Sequence, residues 1–286
     1  MRATLRACTM TLVIAGLSGC GRDEQPSAEY PRASASQATE GGPGPSAARP
    51  PAEARSGIDA DADQSLRRMS QYLATLQAFT FSAEHSTEVV LDSGQKLTLS
   101  AASDVSVRRP NKLRSDRRGQ AADVSFFYDG KTLTIYGKKA DLYAQAPAPA
   151  TLDRAIDFAR DRLDIEAPGA DLLYSEPYEI LTEDSVSGIR VGTAVVDGVS
   201  CEHLAFRGNQ TDFQIWIEEG ARPLPRKYVI TTRDVKSFPE FTVELHDWNT
   251  TAELPDAVFE FVPPATSRRI DFLRIAEERR PISLHP

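Results

Sequence analysis

From Asp59 to Ala78, apolar residues recur at helical spacing, with Leu66, Met69, Leu73 and Leu76 on one stripe and polar residues on the remaining faces. The pattern predicts a helix with one buried face, and the aspartates in its first turn suit the positive end of the helix dipole. After Phe79 the period changes to two. Leu97, Leu99, Ala101, Val105 and Val107 alternate with mostly polar residues, which predicts a long antiparallel strand with one wet face. Asp92-Ser93-Gly94, Asp129-Gly130 and Asp197-Gly198 are turn signals flanked by strand-like runs such as Val124 to Tyr128 and Thr132 to Tyr136, so hairpins are expected there. Further strands are read at Ile189 to Val196, Ser200 to Arg207, Thr211 to Glu218, Arg226 to Thr232, Phe241 to Trp248 and Phe259 to Val262, in a nearly sequential sheet. Between the two groups of strands, Thr151 to Ile165 carries a stripe of Leu152, Ile156, Ala159 and Leu163, and a shorter helical stretch follows at Ala170 to Tyr174. Helices that interrupt a meander in this way either cover one face of a curved sheet or pack permanently on its core, and the pattern is the same for both.

The amino terminus is organised differently. Basic Arg2 and Arg6 precede an apolar run around Leu12, Val13, Ile14, Ala15 and Leu17 that is too short to span a bilayer, so residues 1–19 read as a secretory signal peptide. Leu17-Ser18-Gly19-Cys20 is similar to the bacterial lipobox, in which the cysteine thiol takes a diacylglyceryl group and becomes the first residue after cleavage. The alternative is an ordinary signal cut nearby, with Cys20 removed or left unmodified. Residues 20–58 are rich in Pro, Ala, Ser and Gly and cannot bury enough surface to offset chain entropy, which makes them a disordered tether. Residues 59–272 then form the folded domain, and 273–286 a polar tail. This organisation places the protein in the periplasm of a Gram-negative bacterium, anchored to a membrane through Cys20. Gly21, which is not acidic, favours the outer membrane over the inner.

A formal net charge of −8 argues against nucleic acid as a partner, and the basic runs Arg108-Arg109 and Arg114 to Arg118 read as solvated strand edges. Cys8 falls in the signal and Cys20 is the predicted anchor, so Cys201 is the only cysteine of the domain. Cys201 and His203 would share a strand face, but two ligands without a partner motif make a poor metal site, and a buried free thiol is the better reading. Asp59-x-Asp61-x-Asp63 looks faintly like a calcium loop but lacks its glycine and distal acid, so helix capping is preferred. No Gly-x-Ser-x-Gly elbow or His-Glu-x-x-His pair is present, and His85, His203 and His246 are scattered singly. We therefore expect no enzyme, cofactor or metal.

Three segments occur in order: Val107-Arg108-Arg109-Pro110-Asn111-Lys112-Leu113, Tyr128 to Tyr136 (YDGKTLTIY), and Phe259-Glu260-Phe261-Val262-Pro263-Pro264. Together with the N-terminal helix they resemble the periplasmic lipoprotein-carrier superfamily of LolA-like and LolB-like proteins, and within it most of all a family of predicted periplasmic proteins with a domain of unknown function. The resemblance implies an α+β fold, a curved antiparallel sheet forming an incomplete β-barrel, with helices covering a concave face that holds acyl chains. It also implies that Arg109 bonds the helical lid and that Leu113 contacts it, at a position where the carriers often have an aromatic. Phe81, Tyr136, Phe206, Phe213 and Trp216 are the candidate lining residues, although alternation does not say which sheet face is concave. Two functions follow: a binding protein for a lipid, acyl chain or lipoprotein, or an envelope sensor or scaffold that uses the same fold to engage a protein partner.

Overall fold

The computed structural model describes residues 57–120, 122–165 and 167–272. The predicted signal peptide, Cys20, the tether up to residue 56 and the tail 273–286 lie outside the described residues.

The first apolar stripe forms α1, Ala60–Thr75. It ends three residues before the periodicity does, because Ala78 already pairs with Arg108 at the start of β1. Asp59 sits at the N-cap in extended conformation, yet its side chain caps nothing, and it is the Asp59 carbonyl that accepts the Asp63 amide at 2.9 Å. The acidic first turn serves packing instead. Asp63 takes a 2.7 Å ion pair from Arg67 and accepts the Tyr178 hydroxyl.

Strands β1 (Ala78–Val90) and β2 (Lys96–Arg108), each 13 residues long, pair over their whole length. β3 (Lys112–Gly119), β4 (Asp123–Tyr128), β5 (Thr132–Gly137) and β6 (Leu142–Pro147) extend the meander. Then come α2 (Leu152–Leu163), a single 3-10 turn at Ala170–Leu173 where a short helix was expected, and α3 (Pro177–Thr182). Periodicity did not reveal α3; Pro177 in its first turn is the available signal. The second meander is β7 (Ser185–Val196), β8 (Val199–Gly208), β9 (Thr211–Glu218), β10 (Pro225–Thr232) and β11 (Glu240–Asn249), and the short β12 (Arg268–Ile270) follows. Asp197 and Gly198 both take positive φ, 46° and 74°, as a two-residue hairpin matching strand twist requires.

All twelve strands form one sheet in the order β12-β6-β5-β4-β3-β2-β1-β11-β10-β9-β8-β7. The two meanders are joined by the antiparallel β1–β11 pair; among the described strands β12, parallel to β6, departs from the antiparallel plan, and Ile58 makes an isolated parallel bridge to Gly188 of β7. β7 and β12 are the free edges, so the curved sheet stays open, an incomplete barrel with its helices on the concave face. The strand expected at Phe259 to Val262 is not formed. A 3-10 turn at Asp256–Val258 leads instead into an extended segment that buries Phe259 fully and sets Phe261 among Phe127, Tyr136 and Tyr143, with ring centroids 5.2–5.5 Å apart. Two prolines, Pro263 and Pro264, follow at once and remove the donors a ladder would need.

The core lies between α1 and the middle of the sheet. Leu66, Met69 and Leu73 of α1 join Phe79, Val107, Leu204, Ile215 and Ile217, none more than 1% exposed. α3 docks on α1 through Arg67, which donates to the Tyr178 hydroxyl at 2.7 Å, and through Ser70, whose hydroxyl accepts the Tyr178 amide at 2.9 Å. Because close-packed interiors collapse only partly around a cavity, Leu66→Ala should cost about 2–5 kcal/mol. Urea unfolding should show that loss as a lower midpoint at unchanged slope. A loss under about 0.5 kcal/mol would mean that α1 does not close the core.

Candidate functional site

Strand pairing determines which side chains share the concave face. One row across the sheet runs Phe81, Val105, Ser115, Phe126, Ile135, Ala144; the next runs Ala83, Ser103, Arg117, Val124, Gly137, Leu142. In both rows the residues nearest β1 belong to the packed core. Farther out, Val124, Ile135 and Leu142 are half-buried and stand outside that core, so the apolar surface continues beyond what the main cluster covers.

The segment from α2 to the 3-10 turn lies on this face. Leu152 and Ala155 reach the core and Ile156 packs against it, whereas Phe158 and Leu163 are half-buried and outside it. A single dipeptide of the β2–β3 turn holds both ends of the segment. Pro110 O accepts the Leu152 amide at 2.8 Å, and Arg109 Nη2 donates to Tyr174 O at 2.8 Å. The Arg109 guanidinium lies 6.0 Å from the centroid of the Phe79 ring, and its buried Nε has no partner among the described residues. Burial lowers its pKa, an effect that nearby Asp153 opposes. Leu113 is buried in the core beside its strand partners Val107 and Tyr128.

Within the segment, the Tyr174 hydroxyl donates to Asp157 at 2.8 Å, Arg160 pairs with the same carboxylate at 2.7 Å, and Asp153 accepts the Ser175 amide at 3.0 Å. Asp171, in the 3-10 turn, bonds the hydroxyl of buried Tyr228 on β10. Burial pushes the Asp171 carboxyl up to about 6, against the pull of Arg160 and of the Tyr228 hydroxyl.

The structure separates the five aromatics expected to line a cavity. Phe81, Phe206 and Phe213 face the concave side, where they are part of the core; Phe206 and Phe213 stack at 4.6 Å and border a shallow hollow of about 320 Å³ beside β7. Tyr136 and Trp216 are on the outer face and line no concave surface. Tyr136 packs on Phe261 and donates to Asp141 at 2.9 Å, while Trp216 stacks on His203 at 4.0 Å. Alternation had put them on one side of a strand without saying which side that was. The residues it missed are Val124, Phe126, Ile135, Leu142 and Arg117, whose common face appears only when strands are paired.

Cys201 is fully buried, its thiol pushed up by burial, and His203 Nε2 lies 3.0 Å from Gln214 Oε1. No group of three metal-ligating side chains occurs among the described residues. His85 Nε2 is 3.0 Å from Ser103 Oγ, a distance that invites comparison with a nucleophile and its base. Burial, with the Arg117 cation beside it, lowers the His85 pKa to about 4, so the ring has little basicity to offer a serine at neutral pH.

The described residues thus form an open half-barrel with a stapled helical segment on a concave, partly uncovered apolar face. The chain belongs to the family described as predicted periplasmic protein (DUF2092), whose model matches residues 62–273. Comparison with curated proteins finds no match. Solved structures with similarity include an uncharacterized conserved protein from Thermus thermophilus (10% identity, 74% of this chain and 99% of that one, TM-score 0.45). The lipoprotein LppX of Mycobacterium tuberculosis is similar at 13% identity, over 69% of this chain and 100% of that one, with TM-score 0.45. A LolA superfamily protein from Nitrosomonas europaea is similar at 11% identity, over 70% and 97%, with TM-score 0.36. Among the described residues no helix is long and apolar enough to cross a membrane.

The Asp171 carboxyl titrates higher in the folded chain than its ordinary 3.8, so the folded state holds the extra proton. Its contribution is therefore present at low pH and lost as pH rises from about 4 through about 6, by at most ~3 kcal/mol. Asp171→Asn should remove that loss. Unfolding free energies of variant and native chains should differ more at pH 7.5 than at pH 4, in favour of Asn; equal differences at both pH values would contradict this.

Proposed function

We propose that the domain is a non-catalytic binding module of the bacterial envelope that takes a hydrophobic ligand, such as an acyl chain, on its concave face beneath the segment 152–174. The observation that carries this reading is the stapling of both ends of the segment by Arg109-Pro110, on the same concave face as apolar residues that the core leaves half-buried. Burying an acyl chain of about sixteen carbons gains on the order of 12 kcal/mol before ordering costs, enough to drive binding into such a trough. The segment is held by the core contacts of Leu152, Ala155, Leu172 and Leu173 together with the two bonds at its ends, so an open state is the minor one, and removing a bond of about 1 kcal/mol net raises its population severalfold. Arg109→Leu should therefore shift the open population and change uptake of a fluorescent fatty acid by about threefold or more. Permanent packing of the helix would make the substitution silent for binding, and failure of the native chain to bind the probe would remove this function.

Lipid on Cys20 belongs to the same proposal and places the domain on a membrane facing the periplasm, the outer membrane in preference to the inner. It rests on the lipobox-like Leu17-Ser18-Gly19-Cys20 and on the family's periplasmic description. Only the thiolate accepts the diacylglyceryl group, so Cys20→Ser should move the protein from the membrane to the soluble fraction of lysed cells. Unchanged membrane retention would defeat the anchor.

A scaffold that binds a protein partner is the second reading, and edge strand β7 favours it. Val186, Ile189, Val191 and Val195 are 47–71% exposed there, on an edge whose backbone Gly57 and Asp59 occupy at Gly188, leaving the stretch beyond it toward Val195 for an added strand. Native mass spectrometry of the purified chain separates the two, because retained acyl species support the first reading and an empty domain the second.

A further inference from the structure

The basic run after β2 does not behave as one solvated edge. Arg108 and Lys112 pair with Asp256, Arg114 with Asp116, and Arg118 with Asp104. Lys138, in the turn after β5, also reaches Asp116 and Asp123. Arg114, Asp116 and Arg118 occupy the alternate positions of β3, on the outer face. Arg117 points the other way. It sits between Ser103 and Val124 in the row that ends at Leu142, half-buried, and among the described residues no carboxylate lies within ion-pair distance of it.

An arginine on the concave face that no carboxylate meets among the described residues leaves its charge for water or an incoming anion to satisfy. Its surroundings are suited to an anion. Ser103 Oγ, buried in the same row, faces His85 Nε2 at 3.0 Å, and Ser115 lies two residues along β3 on the same face. Next to these polar groups begins the apolar row of Phe126, Ile135 and Ala144. Side by side, a cation with hydroxyl neighbours and an apolar strip match a molecule with an anionic head and a hydrocarbon chain.

We infer that the concave face selects a fatty acid, whose carboxylate pairs with Arg117 beside Ser103 while its chain lies along Val124, Phe126 and Ile135. The inference rests on the proposed hydrophobic-ligand reading and adds the class of ligand. A carboxylate can accept two parallel N–H bonds from one guanidinium, which a neutral alcohol of the same length cannot. Carboxylate and chain are therefore recognised by different residues, and changing one should leave recognition of the other intact.

The test uses the full chain with Cys20→Ser, which keeps it free of added lipid, and the neutral dye Nile red as reporter. Hexadecanoate should displace the dye at about tenfold lower concentration than hexadecanol, the discrimination expected of one charge-assisted pair. Arg117→Gln should abolish that preference by weakening hexadecanoate about tenfold and leaving hexadecanol unchanged, which also shows that the variant is folded. Arg117→Lys should restore part of the preference. Equal displacement by acid and alcohol in the native chain overturns the inference while leaving hydrophobic binding intact, as does an equal weakening of both by Arg117→Gln. If the native chain binds no Nile red, the hydrophobic-ligand reading itself falls, and the fatty-acid assignment with it.

Discussion

An open antiparallel sheet has one apolar face that must be covered and no barrel closure to cover it, and the rest of this structure follows from how that is done. The β1–β11 pair joins two meanders into one curved surface, and α1 fills the middle with Leu66, Met69 and Leu73. Those side chains are removed from water completely, and each contributes on the order of 1.5–3 kcal/mol. The main core is thus closed by burial, which is strong and non-directional.

The second cover is held differently. The segment from Leu152 to Tyr174 buries Leu152 and Ala155 at one end and Leu172 and Leu173 at the other, and its position is fixed by Pro110 O, Arg109, the Asp171–Tyr228 bond and its own network of Asp153, Asp157, Arg160 and Ser175.

Charge is divided between the two faces. On the outer side, Arg108, Lys112, Arg114, Arg118 and Lys138 meet Asp256, Asp116, Asp104 and Asp123, and the chain after β11 is held there by Arg108 to Leu254 O and by Phe261 in its aromatic nest. Exposed pairs of this type contribute little to stability, so their effect is to fix register and keep that face wet. Arg109 and Arg117 are the arginines of this stretch turned to the concave side, one bonded to a carbonyl and the other beside a buried serine.

Local periodicity was enough to determine the long helix and most of the strands. The stripe of Leu66, Met69 and Leu73, the alternation through Leu97 to Val107 and the Asp-Gly turns each report a preference that acts within a few residues, and α1, β2 and the hairpins formed where these signals stand. The position of Arg109 at the helical segment was legible because a motif of seven residues carried it. The face occupied by Tyr136 and Trp216 was not legible, because alternation assigns neighbours to opposite faces but which face is covered depends on pairing partners distant in sequence, whereas Phe259 to Val262 fail as a strand because Pro263 and Pro264 remove the donors a ladder needs. Tertiary structure alone set Arg117 beside Ser103 and Val124, where among the described residues it has none of the acidic partners its sequence neighbours found. Sequence gives each residue a chemistry and a side of its strand; the concave face exists only after twelve strands have paired, because curvature and cover belong to the whole sheet.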